Sequence, residues 1–410
     1  MNNDVSPSLK NHYAIQVLFF LGMIVVCLDV ISIDLGNFKL KISYVWFPLY
    51  LILFAYFFDL RMRLDNVKIS AIFILSFLPS VLFSSNLITS VAFYAGTCIC
   101  LVIMFTFSKM VYLAPVKIIK LLFLFYRFSV MLTAAMVVMQ IQYRGHFLLY
   151  EPSYYAVALI PYFCITFHRA FLYGFKISII DLFFIFLAIF ISQSVSMVLW
   201  IFICFVLTYI SFGRVRLIYF AYFCAALLFF LLIAYFFDAR TRKIIDGLYG
   251  LFSNPSSSLN LLVFVVGNRL QRVLVAYQAF TESPFFGVGL GTLKAYSSSN
   301  FNASDFIING ITAADFIVES TAANVFVEVG AEAGIIGFIG FMSILFFIHR
   351  KKNNYVVLAP FKIAFYVTMA ALLIDSSYLR TYVWALYGII LGLSALEKER
   401  LQDGLFFRPS

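Results

Sequence analysis

Charge is what this sequence has least of. Only 12% of its 410 residues are charged and 63% are hydrophobic, with a mean hydropathy of +0.99. Soluble domains carry about 25% charged residues and about 45–50% apolar ones. A water-soluble fold could not cover that much apolar surface. Cysteine is scarce and chemically unpromising: Cys27, Cys98, Cys100, Cys164, Cys204 and Cys224 all fall inside apolar runs. None belongs to a Cys-x-x-Cys or Cys/His cluster, so the chain has no zinc spacing and no disulfide framework. Also missing are a P-loop and an acidic metal-binding cluster. The formal charge of +10 is not gathered into a patch; basic residues come in twos and threes between apolar runs, which argues against nucleic acid and for membrane orientation.

What is present is apolar length. Twelve runs approach the roughly 17 to 25 residues needed to cross about 30 Å of hydrocarbon. Nine lie in residues 1–237, the sixth over 153–171 and the ninth over 216–237; three lie in 333–396, the tenth over 333–349. The expected fold is an all-α integral membrane protein of about twelve transmembrane helices. The first run is long and lacks a small-residue cleavage site, so it is expected to stay in the membrane. With the N-terminus inside, one set of loops collects Arg61, Arg63 and Lys68, then Lys109, Arg169 and Lys176, Arg214 and Arg216, Arg350 to Lys352, and finally Lys398 and Arg400. The opposite loops are nearly uncharged, as the positive-inside rule requires, and both termini fall inside, the tail being 397–410.

One outer segment breaks the pattern of short loops. It runs over 238–332, and a loop of that length is a candidate for function. Residues 261–280 read as an amphipathic helix carrying Arg269 and Arg272, followed by Ser283-Pro284 and the series Gly287, Gly289 and Gly291. The Ser/Asn-rich stretch 296–304 reads as its mobile part. Taken alone, the arginines could be solvated or headgroup anchors and the glycines turns. No strand precedes them to make a dinucleotide-binding unit.

Three separated motifs resemble one family. Arg269, Ser283-Pro284 and Gly287-Val288-Gly289-Leu290-Gly291 resemble the "Arg, then Pro-x-x-Gly-x-Gly" segment of the O-antigen polymerase and ligase superfamily. Asn324 followed by Gly334 and Gly337 resembles its "His-Asn, then Gly-x-x-Gly" segment. Arg144-Gly145-His146-Phe147 with Glu151-Pro152-Ser153 is similar to an element found ahead of a span in the polymerases. The likeness covers most of the chain as topology and some fifty residues as motif. It implies a GT-C-like architecture in a bacterial inner membrane, with the 238–332 loop periplasmic. The ligases carry a histidine before the asparagine, and this chain has Ala323 there, which favours the polymerase branch.

The resemblance implies an enzyme that transfers a growing glycan from undecaprenyl diphosphate to a hydroxyl of another lipid-linked unit, with no cofactor, metal or nucleotide. Its expected partners are the undecaprenyl-diphosphate-linked oligosaccharide, membrane lipids and a chain-length regulator protein, with no nucleic acid. A leaving diphosphate needs cations, and arginine grips phosphate oxygens in pairs while staying charged. Arg144, Arg269 and Arg380 are the expected clamp and Arg272 a supporting member. Arg380 could instead pair with Asp375 or anchor an interface. Glu151 leads the candidates for general base, with Glu319, Glu328 and His146 behind it. Arg127, in mid-span, is costly enough to suggest function, or pairs with Asp29 or Asp181. The competing readings are a ligase acting on lipid A core, and a flippase or transporter. Against the latter, no internal repeat is visible.

Overall fold

The computed structural model describes residues 9–34, 39–57, 64–174, 178–212, 269, 271–301, 322–351, 357–374 and 378–396, with isolated positions at 225, 228, 242 and 246. The ninth expected span, the tail 397–410, Glu319, Asp375 and residues 261–268 of the expected loop helix lie outside them. So do Arg61, Arg63, Lys176, Arg214, Arg216 and Lys352.

In chain order, α1 (Leu9–Val26) leads into a small antiparallel hairpin, β1 (Ser32–Asp34) and β2 (Lys39–Lys41), then α2 (Ile42–Phe57), α3 (Leu64–Leu82), α4 (Leu87–Leu113) and α5 (Pro115–Val138). Next come α6 (Pro152–Ala158), α7 (Ile160–Tyr173), α8 (Ile179–Ser192) and α9 (Val195–Phe212). The outer segment contributes α10 (271–282) and α11 (Leu293–Asn300), and the chain closes with α12 (Val325–His349), α13 (Leu358–Leu372) and α14 (Thr381–Ser394). Among the described residues five helices, α3, α4, α5, α9 and α12, are long and apolar enough to cross a membrane, and a sixth span arises if α6 and α7 are counted as one. That pair bends by 44° across Leu159. Pro161 explains the break: it has no N–H to give the carbonyl four residues back, and its ring crowds that turn.

At the outer segment, α12 is two helices joined across Gly334, whose φ of 63° and ψ of −170° are not helical; the expected tenth span, 333–349, starts at that joint, and the part over 325–333 precedes it. Of the stretch 296–304 read as mobile, residues 296–300 belong to α11, where the Ser298, Ser299 and Asn300 side chains donate back to the carbonyls of Ala295 and Tyr296, three or four residues earlier.

The bundle is held by close helix contacts at small residues, as expected where lipid supplies no hydrophobic drive between helices. α14 lies on α4 along Gly388 and Gly392; a Cβ there would sit 2.3 Å from the Met104 carbonyl and 2.5 Å from that of Ser108. α12 lies on α3 at Gly337 and Gly340, the latter against Ser76. Around these contacts pack Phe19, Phe47, Phe73, Phe77, Phe107 and Trp384, all fully enclosed.

Several connections meet at one end. The amides of Asp29 and Val30 both reach the Leu148 carbonyl at 3.0 Å, Gly145 reaches Ile191 at 2.8 Å, and the Thr381 hydroxyl reaches Val26 at 2.5 Å. The α1–α2, α5–α6, α8–α9 and α13–α14 links therefore share a face. The α3–α4 link joins them through the outer segment: the Ser90 hydroxyl donates to the Leu290 carbonyl at 2.9 Å, and Phe83 stacks on Phe286 at 4.6 Å.

Candidate functional site

The glycine series and the kink of α12 explain each other. Bending a helix at Gly334 leaves backbone groups unpaired, and buried ones must find partners. Val288 donates to the Ala331 carbonyl at 2.9 Å and Gly289 to that of Glu332 at 3.1 Å, while Ile335 donates back to Pro284 at 2.8 Å. The Ser80 hydroxyl from α3 adds a bond to the Glu332 carbonyl at 2.6 Å. The approach is close enough to exclude a side chain. A Cβ on Gly287 would lie 2.2 Å from the Glu332 oxygen and one on Gly334 2.3 Å from Phe285, and both glycines have positive φ. The Pro-x-x-Gly-x-Gly motif and the Gly-x-x-Gly motif are thus the two halves of one joint.

Asn324 has a local task. Its side chain caps α12, accepting from the amides of Phe326 at 2.9 Å and Val327 at 3.1 Å. That cap starts the helix at Val325 and so puts Glu328 in its first turn, buried to 1% exposure.

The joint places α10 beside the start of α12. Arg272 is half-buried, its Nη2 3.5 Å from the Ala322 carbonyl. Burial lowers its pKa from the usual arginine range; Glu328, Tyr154 and Glu151 act in the opposite direction, and Arg269 adds to the lowering. These groups therefore lie within electrostatic reach of one guanidinium. Arg269 itself is exposed.

Tyr154 links this group to Arg380, whose guanidinium lies 3.5 Å from the centre of the Tyr154 ring. Arg380 is 7% exposed, at the residue before α14, and pairs with Asp29 at 3.6 Å. Asp29 in turn holds Lys41 at 2.8 Å. Asp375, the alternative partner for Arg380, lies outside the described residues; among the described residues an acid paired with it is Asp29.

Arg144 and His146 are engaged elsewhere. The Arg144 guanidinium donates to the carbonyls of Ser192, at 3.3 Å, and Gln193, closing the end of α8 where the helix leaves its last carbonyls open. His146 Nδ1 donates to the Leu149 carbonyl, and its backbone amide donates to Gln142 Oε1 at 3.1 Å. Glu151 is exposed, one residue before α6, and accepts from the Ser153 hydroxyl at 3.1 Å.

Toward the other end of the bundle, Arg127 resolves to Asp181. Its Nε and Nη2 grip the two carboxylate oxygens at 2.8 and 3.0 Å, with Tyr162 donating at 2.8 Å and Arg169 at 3.4 Å. A fully buried carboxylate with this many partners is a structural ion cluster.

Of the ten residues expected to form the site, Arg272, Arg380, Glu151 and Glu328 come together. Gly287, Gly289 and Asn324 build the frame beneath them. Arg269, two residues before α10, is exposed, and Arg144 and His146 brace the α5–α6 turn. Three further members had weak or no sequence signal. Tyr154 follows Glu-Pro-Ser directly and could have been found from that position. Asp29 and Lys41 carry no motif; only the fold brings Asp29 to Arg380 and Lys41 to Asp29.

Residues 181–342, from the start of α8 through the joint and most of α12, match a family model described as O-antigen ligase. No curated protein matches the chain.

Proposed function

We propose, from the match of residues 181–342 to the O-antigen ligase family model and from the motifs that resemble the O-antigen polymerase and ligase superfamily, that this membrane protein is a glycosyltransferase of that superfamily and a polymerase of undecaprenyl-diphosphate-linked repeat units. It would work at the periplasmic face of the inner membrane, moving the growing chain onto a new lipid-linked unit. A sugar hydroxyl of the incoming unit attacks the anomeric carbon of the chain, the carbon–oxygen bond to diphosphate breaks, and undecaprenyl diphosphate leaves with the electron pair. Arg272 and Arg380 hold that diphosphate as its charge grows, which is where a fixed cation lowers the barrier most. Glu151, exposed at the same end and oriented by Ser153, takes the hydroxyl proton. Glu328, buried in the first turn of α12, favours the charged form of that guanidinium. The bond energy lies in the sugar diphosphate, so no nucleotide is needed.

The observation that carries the polymerase reading over the ligase one is Ala323. Where the resemblance puts the ligase histidine there is a methyl group, 5% exposed, between Ala322, whose carbonyl Arg272 faces, and the capping Asn324. No proton can be carried from that position.

The test is the lipopolysaccharide ladder of a deletion strain. Loss of a polymerase leaves lipid A core bearing a single repeat unit, because one unit still reaches the separate ligase. Bare core, with long polymer accumulating on the carrier lipid, would establish the ligase reading instead.

A further inference from the structure

Two acids stand in the otherwise apolar start of α12, Glu328 and Glu332, four residues apart and so on one face of the helix. Both are buried, to 1% and 0% exposure. Their settings differ. Glu328 lies in the first turn, where the positive end of the helix dipole favours a carboxylate, and within electrostatic reach of Arg272. Glu332 lies a turn further on, just before the bend, and neither of its carboxyl oxygens makes a hydrogen bond. Among the described residues the charged group acting on it is Glu328, a like charge. The nearby amides of Gly291 and Leu293 favour its charged form without closing a hydrogen bond. Tyr378, from the α13–α14 link, lies within electrostatic reach of both acids.

Two carboxyls this close and this dry do not both ionise, because each charge would be desolvated and would repel the other. Burial and Glu328 push the Glu332 carboxyl well above the usual carboxylate range. Around it, among the described residues, the glycine loop offers amides, α3 offers the Ser80 hydroxyl to the Glu332 backbone carbonyl, and the α13–α14 link offers Tyr378. The cation of α10, Arg272, acts on Glu328. Helix dipole and guanidinium therefore both place a single negative charge on Glu328, and the proton falls to Glu332.

We infer that Glu328 and Glu332 share one proton, held on Glu332, and that Glu332 is a positioning residue whose neutrality lets the joint close and leaves the charge of the pair on Glu328, toward Arg272. When Glu332 ionises, its proton passes to water and the pair carries two negative charges. The repulsion then falls on the joint that presents α10, so the placement of Arg272 is lost with it. The inference rests on the proposed function only through the role given to Arg272.

Infrared spectroscopy of the full-length protein in nanodiscs reads the proton directly. Near neutral pH the C=O stretch of a buried protonated carboxyl is expected in the wild type and in Glu328→Gln, and is expected to be missing in Glu332→Gln. A raised carboxyl leaves the joint at full stability below the ordinary carboxylate range and weakens it as pH climbs through the raised value. The band should accordingly fade at alkaline pH, and about one pH unit earlier in Glu328→Gln, where the like charge is gone. Turnover of the lipid-linked unit gives the second reading. About one pH unit above the band's midpoint the wild type is expected to have lost about tenfold in kcat/KM, and Glu332→Gln, whose amide cannot ionise, less than about twofold relative to its own neutral value. A band lost in Glu328→Gln instead, no band in the wild type, or a midpoint that Glu328→Gln does not move overturns the shared proton. An alkaline loss just as steep in Glu332→Gln overturns the positioning role. The infrared results need no turnover, so they stand or fall apart from the deletion-strain ladder that tests the proposed function. If Glu332→Gln does not fold, the band and its midpoint in the wild type and Glu328→Gln decide the matter.

Discussion

Arg269 and Arg272 lie three residues apart on the same helical face, yet one is exposed and the other half-buried against Ala322. Motif position alone ranks Arg269 first; burial reverses the order, because a cation acts most strongly on a developing charge where water is excluded. Arg272→Ala is expected to lower kcat/KM by about 10² to 10³, on the order of 3 to 4 kcal/mol in the transition state. Arg272→Lys should recover only part of that, since an ammonium lacks the planar fork. Arg269→Ala should stay within about tenfold of wild type, a value appropriate to a screened surface charge. Turnover of purified lipid-linked repeat units at matched protein concentration checks this, and a greater loss from Arg269→Ala would reverse the assignment.

At the scale of elements, the joint between the glycine loop and the bend of α12 is what presents α10 to the site. Its glycines are required for two separable reasons, left-handed backbone and close approach, and Gly174 isolates the first. Gly174 has φ of 94° and nothing within 4 Å of an added Cβ, whereas Gly287 has φ of 72° and the Glu332 carbonyl at 2.2 Å. Gly174→Ala should therefore cost about 1 kcal/mol of backbone strain. Gly287→Ala should add a steric cost of about 1 to 3 kcal/mol and uncouple the loop from the helix. Thermal unfolding in detergent is expected to rank them in that order, with activity lost in Gly287→Ala and kept in Gly174→Ala. Equal melting points would show that the joint is loose.

For the molecule as a whole, orientation decides whether the site faces the lipid-linked substrate's side. The α1–α2, α5–α6, α8–α9 and α13–α14 links share one end with the outer segment. α12 ends far from that end, where Lys362 donates to the open carbonyls of Ile348 at 2.5 Å and His349 at 2.7 Å and Arg350 and Lys351 follow. A reporter inserted between Lys351 and Asn354, or fused after Ser410, is expected to read as cytoplasmic, and one near Ser299 on α11 as periplasmic. A cytoplasmic signal at Ser299 would remove the site from its substrate.

Membrane class, the apolar runs and the order of the motifs were legible in the sequence because each depends on neighbours along the chain: bilayer thickness sets run length, and loop charge sets sidedness. The capping of α12 by Asn324 was legible in principle for the same reason. The partners of the buried charges were not. Arg127 had two candidate acids, and only packing chose Asp181; nothing along the chain pointed Arg380 to Asp29, which the fold brings to it from just past the end of the first helix. The glycine series likewise carried no mark of what it would meet. Its need for glycine comes from the unpaired carbonyls of a helix some forty residues on, bent where Gly334 permits it. Such pairings are set by which surfaces can close without orphaned polar groups, a condition that exists only once the helices are side by side.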